Sequence, residues 1–454
     1  MRFIDLFAGL GGFHQALASL GHHCVFACEI DSNLANLYEE NFGIAPHRDI
    51  RICGHEVPAH DILCAGFPCQ PFSKAGDQLG FNCPQWGDLF DEVVKILKRH
   101  EPRFLVIENV PNILRHNNGR TWKTIRRKLE TLGYKIQSSE LSPHLFGIPQ
   151  IRNRAIIIGD RDGLQDFQWP STDGRAKNLD IRSVLDKEPS DARPLTPAAT
   201  RYLEAWQRLL SALPSKCQLP SFPIWAQEFG ATYPLDGPPP RRLSAKDLSN
   251  YRGTFGRPLR QHTKGEMLEN LPPYATNTNT RFPEWKVDFI LANRRFYKDN
   301  KAVIDKWLPQ IMDFAPSFQK LEWNWKDGPR DIWSTVVQFR ASGIRAKRPE
   351  SAPSLVALTT SQVPVITWER RYMTLRECAR LQSMGDLTHL PRTETAGFRA
   401  LGNAVNVRVI SLVCEKLLSR PPATNQLPGF NTNAKRHRTK LKKVRQTGVD
   451  RLAA

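Results

Sequence analysis

Residues 60–73 have the sequence HDILCAGFPCQPFS, a strand pattern that ends abruptly in a Pro-Cys pair. The apolar run 62–65 is short and is closed by Gly66 and Pro68, which is typical of a strand buried on both faces of a parallel sheet. Cys69 follows at the carboxyl end of that strand, where open α/β sheets place their chemistry. Backbone N–H groups at such a turn would stabilise a thiolate, the reactive form. Alternatively, Cys69 is a small buried hydrophobic residue, the usual state of a free cysteine.

The same kind of strand recurs on both sides of this segment. From residue 1 to about 160, short apolar runs alternate with amphipathic stretches, which predicts an α/β fold with a doubly wound mixed sheet. We expect strands near residues 2–7, 23–29, 61–65, 103–107, 134–141 and 154–159, and helices near 12–20, 32–42, 88–99 and 121–132. The alternation stops at about residue 161. Nine of the eleven tryptophans lie between Trp169 and Trp368, which predicts a second core with irregular structure.

Helical patterns return near the carboxyl end. Thr374 is followed three residues later by Glu377, which predicts a capping box at a helix start. A last helix is expected near residues 405–418, and we expect both helices to pack against the first domain. We therefore predict one domain formed by residues 1–160 and 371–420, an inserted domain at 161–370 and a basic tail at 421–454.

Charge and composition limit the classes of protein. The chain has 454 residues and a formal net charge of +19, which favours a polyanionic partner such as nucleic acid. Residues 241–348 hold 21 Lys and Arg against 11 Asp and Glu, and residues 435–454 hold 8 against one, so the tail is a candidate phosphate-binding arm. No apolar segment is long enough for a membrane span, and no signal peptide is recognised, so a cytoplasmic protein is expected. The nine cysteines form no CxxC pair, and no metal site is expected.

A glycine-rich loop follows the first predicted strand. Residues 5–13, DLFAGLGGF, allow a ligand to approach the backbone at the sheet edge. About twenty residues later, Glu29 ends the second strand and supplies a carboxylate suited to ribose hydroxyls. The loop alone would equally suit NAD, whereas the pair favours a nucleoside cofactor. Asp49, Ile50 and Pro68 end the next strands, within reach of an adenine ring, although Asp49 is equally suited to a turn.

Six segments together resemble one family, the cytosine-C5 DNA methyltransferases. They occur in the family's order: FAGLGG (7–12), GFPCQPFS (66–73), ENV (108–110), QIRNR (150–154), RE with RLQ (376–377 and 380–382) and GNAV (402–405). The chain departs from the family at Ser383-Met384-Gly385, where Gly-Phe-Pro is common. The resemblance implies an S-adenosylmethionine-dependent methyltransferase fold, with the insertion in the place of the target-recognition domain.

The resemblance also assigns roles to residues. Cys69 would add to carbon 6 of cytosine, and Glu108 would share a proton with N3, although a lone Glu at a strand end is more often in a salt bridge. Arg154 would contact the base, and Arg152 would support the nucleophile loop and the backbone. The implied S-adenosyl-L-methionine contacts are Phe7, Leu10, Gly11, Glu29, Ile30, Asp49, Ile50, Pro68, Leu89, Asn403 and Val405.

DNA contacts are expected in two places. A cytosine inside a duplex must be flipped out to react, and residues 70–80, with Gln70 and Ser73, would close over it or form an ordinary surface loop. Residues 338–348 combine basic side chains with a glycine turn, so they would read guanines or contact only phosphates. The candidates there are Arg340, Arg345, Lys347 and Arg348.

The leading hypothesis is a sequence-specific DNA cytosine-C5 methyltransferase of a prokaryotic type II restriction-modification system. It would act as a monomer on double-stranded DNA, associated with the nucleoid, and a cognate restriction endonuclease would share its site without needing to bind it. Transfer to tRNA is the enzymatic alternative, and a catalytically silent DNA-binding regulator is the alternative from another class. An NAD oxidoreductase would explain the glycine loop but not Pro68 and Cys69.

Overall fold

Six strands in the first 160 residues form the first sheet. The structure, a computed structural model, describes residues 1–68, 89–172, 179–276, 281–355 and 360–419. The strands are β1 (Arg2–Leu6), β2 (His23–Cys28), β3 (Ile62–Ala65), β4 (Phe104–Asn109), β5 (Lys135–Leu141) and β6 (Arg154–Asp160). The helices are α1 (Gly12–Ala18), α2 (Ser32–Phe42), α3 (Ile50–Cys53), α4 (Leu89–His100) and α5 (Arg120–Thr131). The strands and helices expected by range within residues 1–160 are confirmed to within two residues at their ends. Helix α3 was not predicted, and the expectation that Asp49 and Ile50 end a strand is wrong, because Asp49 caps α3 and Ile50 begins it.

The topology of this sheet places four strand ends at one edge. The strand order is β2-β1-β3-β4-β6-β5. Strands β2, β1, β3 and β4 are parallel, whereas β6 is antiparallel to β4 and to β5. The sheet is therefore doubly wound and mixed, as predicted. The chain runs outward in opposite directions from β1, and a ligand crevice is expected at the carboxyl ends on either side of such a point.

Both faces of the first sheet are covered by helices. Because side chains alternate along a strand, Ile4, Leu63 and Leu105 face a core shared with α3, α4 and α5. Phe3, Cys64 and Val106 face the opposite core, shared with α1 and the last helix of the chain. The runs that predicted the strands are apolar because both of their faces are buried.

A second sheet follows and ends at Tyr372, two residues beyond the predicted domain boundary. Its strands are β7 (Ile224–Trp225), β8 (Lys320–Asn324), β9 (Val336–Arg340), β10 (Gly343–Lys347), β11 (Val365–Ile366) and β12 (Arg371–Tyr372), in the order β12-β11-β9-β10-β8-β7. The helices between them are α6 (Pro197–Ala212), α7 (Ala245–Leu248), α8 (Lys264–Glu269), α9 (Pro273–Thr276), α10 (Glu284–Asp299) and α11 (Lys301–Trp307). Trp206, Trp307 and Trp323 are buried in one hydrophobic cluster, called the second core below, which also includes Leu10 and Leu37 of the first 160 residues.

Three helices close the described chain: α12 (Leu375–Leu381), α13 (Glu394–Asn403) and α14 (Val407–Leu418). The capping box of Thr374 and Glu377 is present at α12. Helix α14 packs on the first sheet as predicted. The buried side chains of α12 belong instead to the second core. In addition, Arg371 of the second sheet binds the Glu377 carboxylate, with Nη2 2.8 Å from Oε1. Within the described ranges, every helix is too short or too polar for a membrane span.

Candidate active site

The carboxyl edge of the first sheet opens into a cavity of about 770 Å³. Ten of the eleven predicted cofactor contacts line it: Phe7, Leu10, Glu29, Ile30, Asp49, Ile50, Pro68, Leu89, Asn403 and Val405. Gly11 is not part of this lining. It has a φ of +73°, and a Cβ at Gly11 would lie 2.3 Å from a ring carbon of Phe42. Gly11 therefore shapes the loop against α2, and the structure does not bring it to the cavity wall.

Glu29 ties the glycine loop to the end of β2. Its Oε2 accepts a hydrogen bond from the Gly9 N–H at 2.8 Å, and its Oε1 accepts one from the Asp31 N–H at 2.8 Å. Burial raises the pKa of the Glu29 carboxyl, and these N–H groups partly oppose the rise. Each carboxylate oxygen keeps a lone pair beyond the backbone bond, so the group can also accept hydroxyl hydrogens.

Asp49 and Ile30 lie on the wall of the same cavity. The Asp49 carboxylate caps α3 and binds the Arg51 guanidinium, with Nη2 at 2.8 Å from Oδ2 and Nε at 3.0 Å from Oδ1. These bonds hold the pKa of Asp49 below its ordinary value. The Ile30 side chain is 50% exposed, which provides an apolar surface for a flat ring. Sequence reasoning missed Arg51, although its place two residues after a helix-capping Asp was a usable signal.

Glu108 and Arg154 form an ion pair at the cavity wall. Glu108 is the second-last residue of β4 and is paired with Ile156 of antiparallel β6, so Arg154, two residues before Ile156, lies on the same face. The Arg154 Nε is 2.8 Å from Glu108 Oε1. Burial raises the pKa of Glu108, and the Arg154 and Arg152 cations partly oppose the rise. The site therefore favours the protonated carboxyl more than an exposed site would.

Arg152 lies apart from the large cavity and is almost fully buried. Its Nη1 donates to the Leu355 carbonyl at 2.9 Å. Its Nη2 donates to the carbonyls of Gly402 at 2.8 Å and Ala404 at 3.0 Å. Arg152 thus fixes the segment on both sides of Asn403, and the structure brings Arg154 rather than Arg152 to the Glu108 carboxylate.

The predicted DNA contacts of the insertion lie on the second sheet. Arg340 ends β9, Arg345 and Lys347 lie on β10, and Arg348 follows as an exposed residue. Burial lowers the pKa of Lys347 to about 8, with a further contribution from the Arg345 and Arg348 cations. These four residues do not line the cavity. Cys69, Gln70 and Ser73 lie outside the described residues.

The doubly wound mixed sheet, with this cavity at its carboxyl edge, has the architecture of the S-adenosylmethionine-dependent methyltransferase fold. The profile of the C-5 cytosine-specific DNA methylase family matches residues 1–211 and 257–419, so this chain belongs to that family. The chain is 32% identical to the type II methyltransferase M.AluI of Cellulosimicrobium cellulans, over 94% of this chain and 93% of that protein. It is 41% identical to M.MspI of a Moraxella species over 41% of this chain and 44% of that protein. The identity to M.HhaI of Haemophilus parahaemolyticus is 43%, over 37% of this chain and 53% of that protein.

Proposed function

We propose that this protein is a sequence-specific DNA cytosine-C5 methyltransferase and the modification enzyme of a type II restriction-modification system. The observation that supports this most strongly is one cavity whose wall carries both Glu29, suited to a nucleoside, and the Glu108–Arg154 ion pair, suited to a cytosine. The relatives named above are type II methyltransferases, and M.AluI is matched over nearly its whole length.

The residues of the cavity fit S-adenosyl-L-methionine. Glu29 would accept the ribose hydroxyls with the lone pairs that its backbone bonds leave. The half-exposed Ile30 would cover the adenine ring, Asp49 would accept from the adenine amine, and Asn403 and Val405 would close the cavity from the carboxyl end of the chain. When bound, this cofactor supplies a methyl group on a positively charged sulfur, which is open to attack by carbon 5 of cytosine.

The protein groups act on the cytosine ring. The Cys69 thiolate forms a bond to carbon 6, and the displaced electron pair moves toward N3 and O2. Glu108, protonated, donates a hydrogen bond or proton to N3 as that charge develops, and Arg154 orients Glu108 and faces O2. Carbon 5 becomes nucleophilic and would take the methyl group as the bond from that group to the cofactor sulfur breaks, so that the sulfur would leave as a neutral thioether. A water or hydroxide then removes the proton from carbon 5, and the bond from sulfur to carbon 6 breaks.

The proposal also covers the domains, the cellular setting and the DNA contacts of the protein. Residues 1–160 and 371–420 form the catalytic domain, 161–370 form the target-recognition domain, and 421–454 add a phosphate-binding arm. The protein acts as a monomer in a prokaryotic cytoplasm, and a restriction endonuclease shares its DNA site. The residues that contact DNA in this proposal are Gln70, Ser73, Arg340, Arg345, Lys347 and Arg348.

The test uses the full chain with methyl-labelled S-adenosylmethionine and, separately, unmethylated plasmid DNA and unmodified tRNA. We expect label in DNA only, and bisulfite sequencing should place 5-methylcytosine within one short sequence motif. Label in tRNA alone would favour the RNA alternative. DNA binding without transfer, under conditions where the cofactor binds, would favour the silent regulator and contradict the proposal. Cys69→Ala is the matched control, in which transfer should be lost while DNA binding persists.

A further inference from the structure

Strands β8, β9 and β10 share one polar face. Because side chains alternate, the other face of these strands is apolar and packs into the second core, where Leu321, Trp323, Ile344 and Ala346 are buried. The polar face carries Lys320, Glu322, Asn324, Gln338, Arg340, Arg345 and Lys347. Val336 and Gln338 of β9 are buried on this side, whereas Glu322, Arg340 and Arg345 are partly exposed. The partly exposed end of the face is therefore a candidate surface for a polar ligand.

Glu322 lies at the centre of this face and binds both arginines. Its direct neighbour on the parallel strand β10 is Arg345, whose Nε is 3.0 Å from Glu322 Oε1. Arg340 of β9 donates from Nη2 to Glu322 Oε2. The Asn324 amide donates to Oε1 at 2.9 Å. One carboxylate thus holds two cations that come from two different strands.

The strand register makes the second of these bonds feasible. Arg340 is paired with Gly343, which lies between it and β8. Gly343 has a φ of +132°, and a Cβ there would lie 2.9 Å from the Lys320 Cβ. Without a side chain at Gly343, the Arg340 side chain can cross β10 and reach Glu322. The cluster is therefore built into the sheet.

The bond to Glu322 leaves one edge of the Arg345 guanidinium available. Only Nε is engaged, and Nη1 and Nη2 form no hydrogen bond to another residue in the part of the chain that the structure describes. The Arg345 side chain is 32% exposed. Two parallel N–H groups of this kind match O6 and N7 of guanine in the major groove. An arginine that is free to rotate would instead bind any nearby phosphate, which carries no sequence information.

The polar face also lies close to the catalytic half of the chain. Ala352, five residues after Lys347, is bonded to the segment just before β6. Its N–H donates to the Pro149 carbonyl at 2.7 Å, and its carbonyl accepts from the Ile151 N–H at 3.2 Å. DNA held against this face would therefore lie near the residues that carry Arg152 and Arg154.

We propose that Glu322 is a specificity-determining positioning residue, which fixes Arg340 and Arg345 so that they contact base edges instead of phosphates. This inference rests on the proposed function, because it assigns the base-reading part of that activity. Glu322 does not touch the reacting atoms and acts only through the two arginines. A carboxylate in a DNA-binding surface weakens the attraction of that surface to phosphates. Its presence is accounted for if it improves discrimination between DNA sequences.

The test compares methylation maps of plasmid DNA treated with wild-type protein and with Glu322→Gln. We expect the variant to methylate sites that differ from the wild-type motif at one or two positions, with the ratio of off-motif to motif methylation raised about tenfold. Its DNA binding should also become more salt dependent, by up to about one additional phosphate contact. Glu322→Asp keeps the charge and should restore part of the discrimination.

The control is Glu130→Gln, which removes the same charge from an exposed ion pair with Arg126 on α5 and should leave the motif unchanged. If wild type methylates no DNA, the proposed function fails. If wild type methylates one motif and Glu322→Gln methylates the same motif with the same discrimination, only the role of Glu322 is overturned. If Glu322→Gln does not fold, Arg345→Lys replaces it. It keeps the charge but loses the paired N–H groups, so an unchanged motif would equally overturn the inference.

Discussion

Replacing Arg152 with methionine should destabilise the protein and weaken its cofactor site together. Methionine keeps much of the apolar stem but removes every hydrogen bond of the guanidinium. The carbonyls of Gly402 and Ala404 would lose their Arg152 donor in a buried position, and the Leu355 carbonyl would keep only the Ser354 hydroxyl at 3.3 Å. Hydrogen bonds from a charged donor contribute about 1.5 to 3 kcal/mol each. For three such bonds at the lower figure, the free energy of unfolding should fall by about 4.5 kcal/mol.

The cofactor effect follows from the place of Asn403 between two of these carbonyls. Once Gly402 and Ala404 are released, the cavity wall at Asn403 is no longer fixed. We expect the Kd for S-adenosylhomocysteine to rise about tenfold, which corresponds to about 1.4 kcal/mol.

Urea unfolding followed by tryptophan fluorescence measures the first effect, and isothermal titration calorimetry measures the second. Arg126→Met is the control, because among the described residues Arg126 forms only an exposed ion pair with Glu130 on α5. Pairs of that kind contribute about 0 to 1 kcal/mol. A loss of stability in Arg152→Met as small as that of the control would show that the three hydrogen bonds of Arg152 do not stabilise the fold. Unchanged cofactor affinity in a clearly destabilised variant would refute the link to Asn403.

Three further predictions concern charged groups of the cavity and of the second sheet. Glu108→Gln should lower the rate of single-turnover methyl transfer at least about 100-fold, because the amide cannot give a proton to N3. Burial raises the pKa of Glu108. The wild-type rate should therefore fall as pH rises through that pKa, because the carboxyl then loses the proton that it donates. Glu29→Gln should weaken S-adenosylhomocysteine binding, measured by calorimetry, about tenfold or more, because hydrogen bonds to a charged acceptor contribute about 1.5 to 3 kcal/mol. Lys347, with a pKa of about 8, should lose its charge as pH rises from about 7 to about 9. DNA affinity in fluorescence anisotropy should fall over that window, and Lys347→Met should remove this part of the pH dependence.

The first sheet was predictable because its signals are local. Residues 62–65 are an unbroken apolar run because both faces of β3 are buried, and neighbouring strands follow the same rule. The second sheet was not predicted. Strands β7, β11 and β12 have two residues each, too few for any periodicity, and β8 pairs with β7, about one hundred residues earlier in the chain.

The active site likewise contains residues that local sequence signals predicted and residues whose roles depend on distant parts of the chain. Glu29 and Glu108 were predicted because parallel strands deliver their carboxyl ends to one edge, whatever the intervening sequence. The bonds of Arg152 join residues separated by 203 to 252 positions, so only the folded chain defines them. The role of Glu322 could not be predicted from the sequence, because it depends on the register of β8 against β10.

A covalent trap tests the central claim, attack of the Cys69 thiolate on carbon 6 of a flipped cytosine. A DNA duplex whose target cytosine carries fluorine at carbon 5 has no proton to lose there, so the bond to sulfur cannot be released after methyl transfer. Mass spectrometry of the digested complex, formed with S-adenosylmethionine, should locate the methylated nucleotide on Cys69. Absence of an adduct from a protein that methylates ordinary DNA, or an adduct on any other residue, would contradict the account.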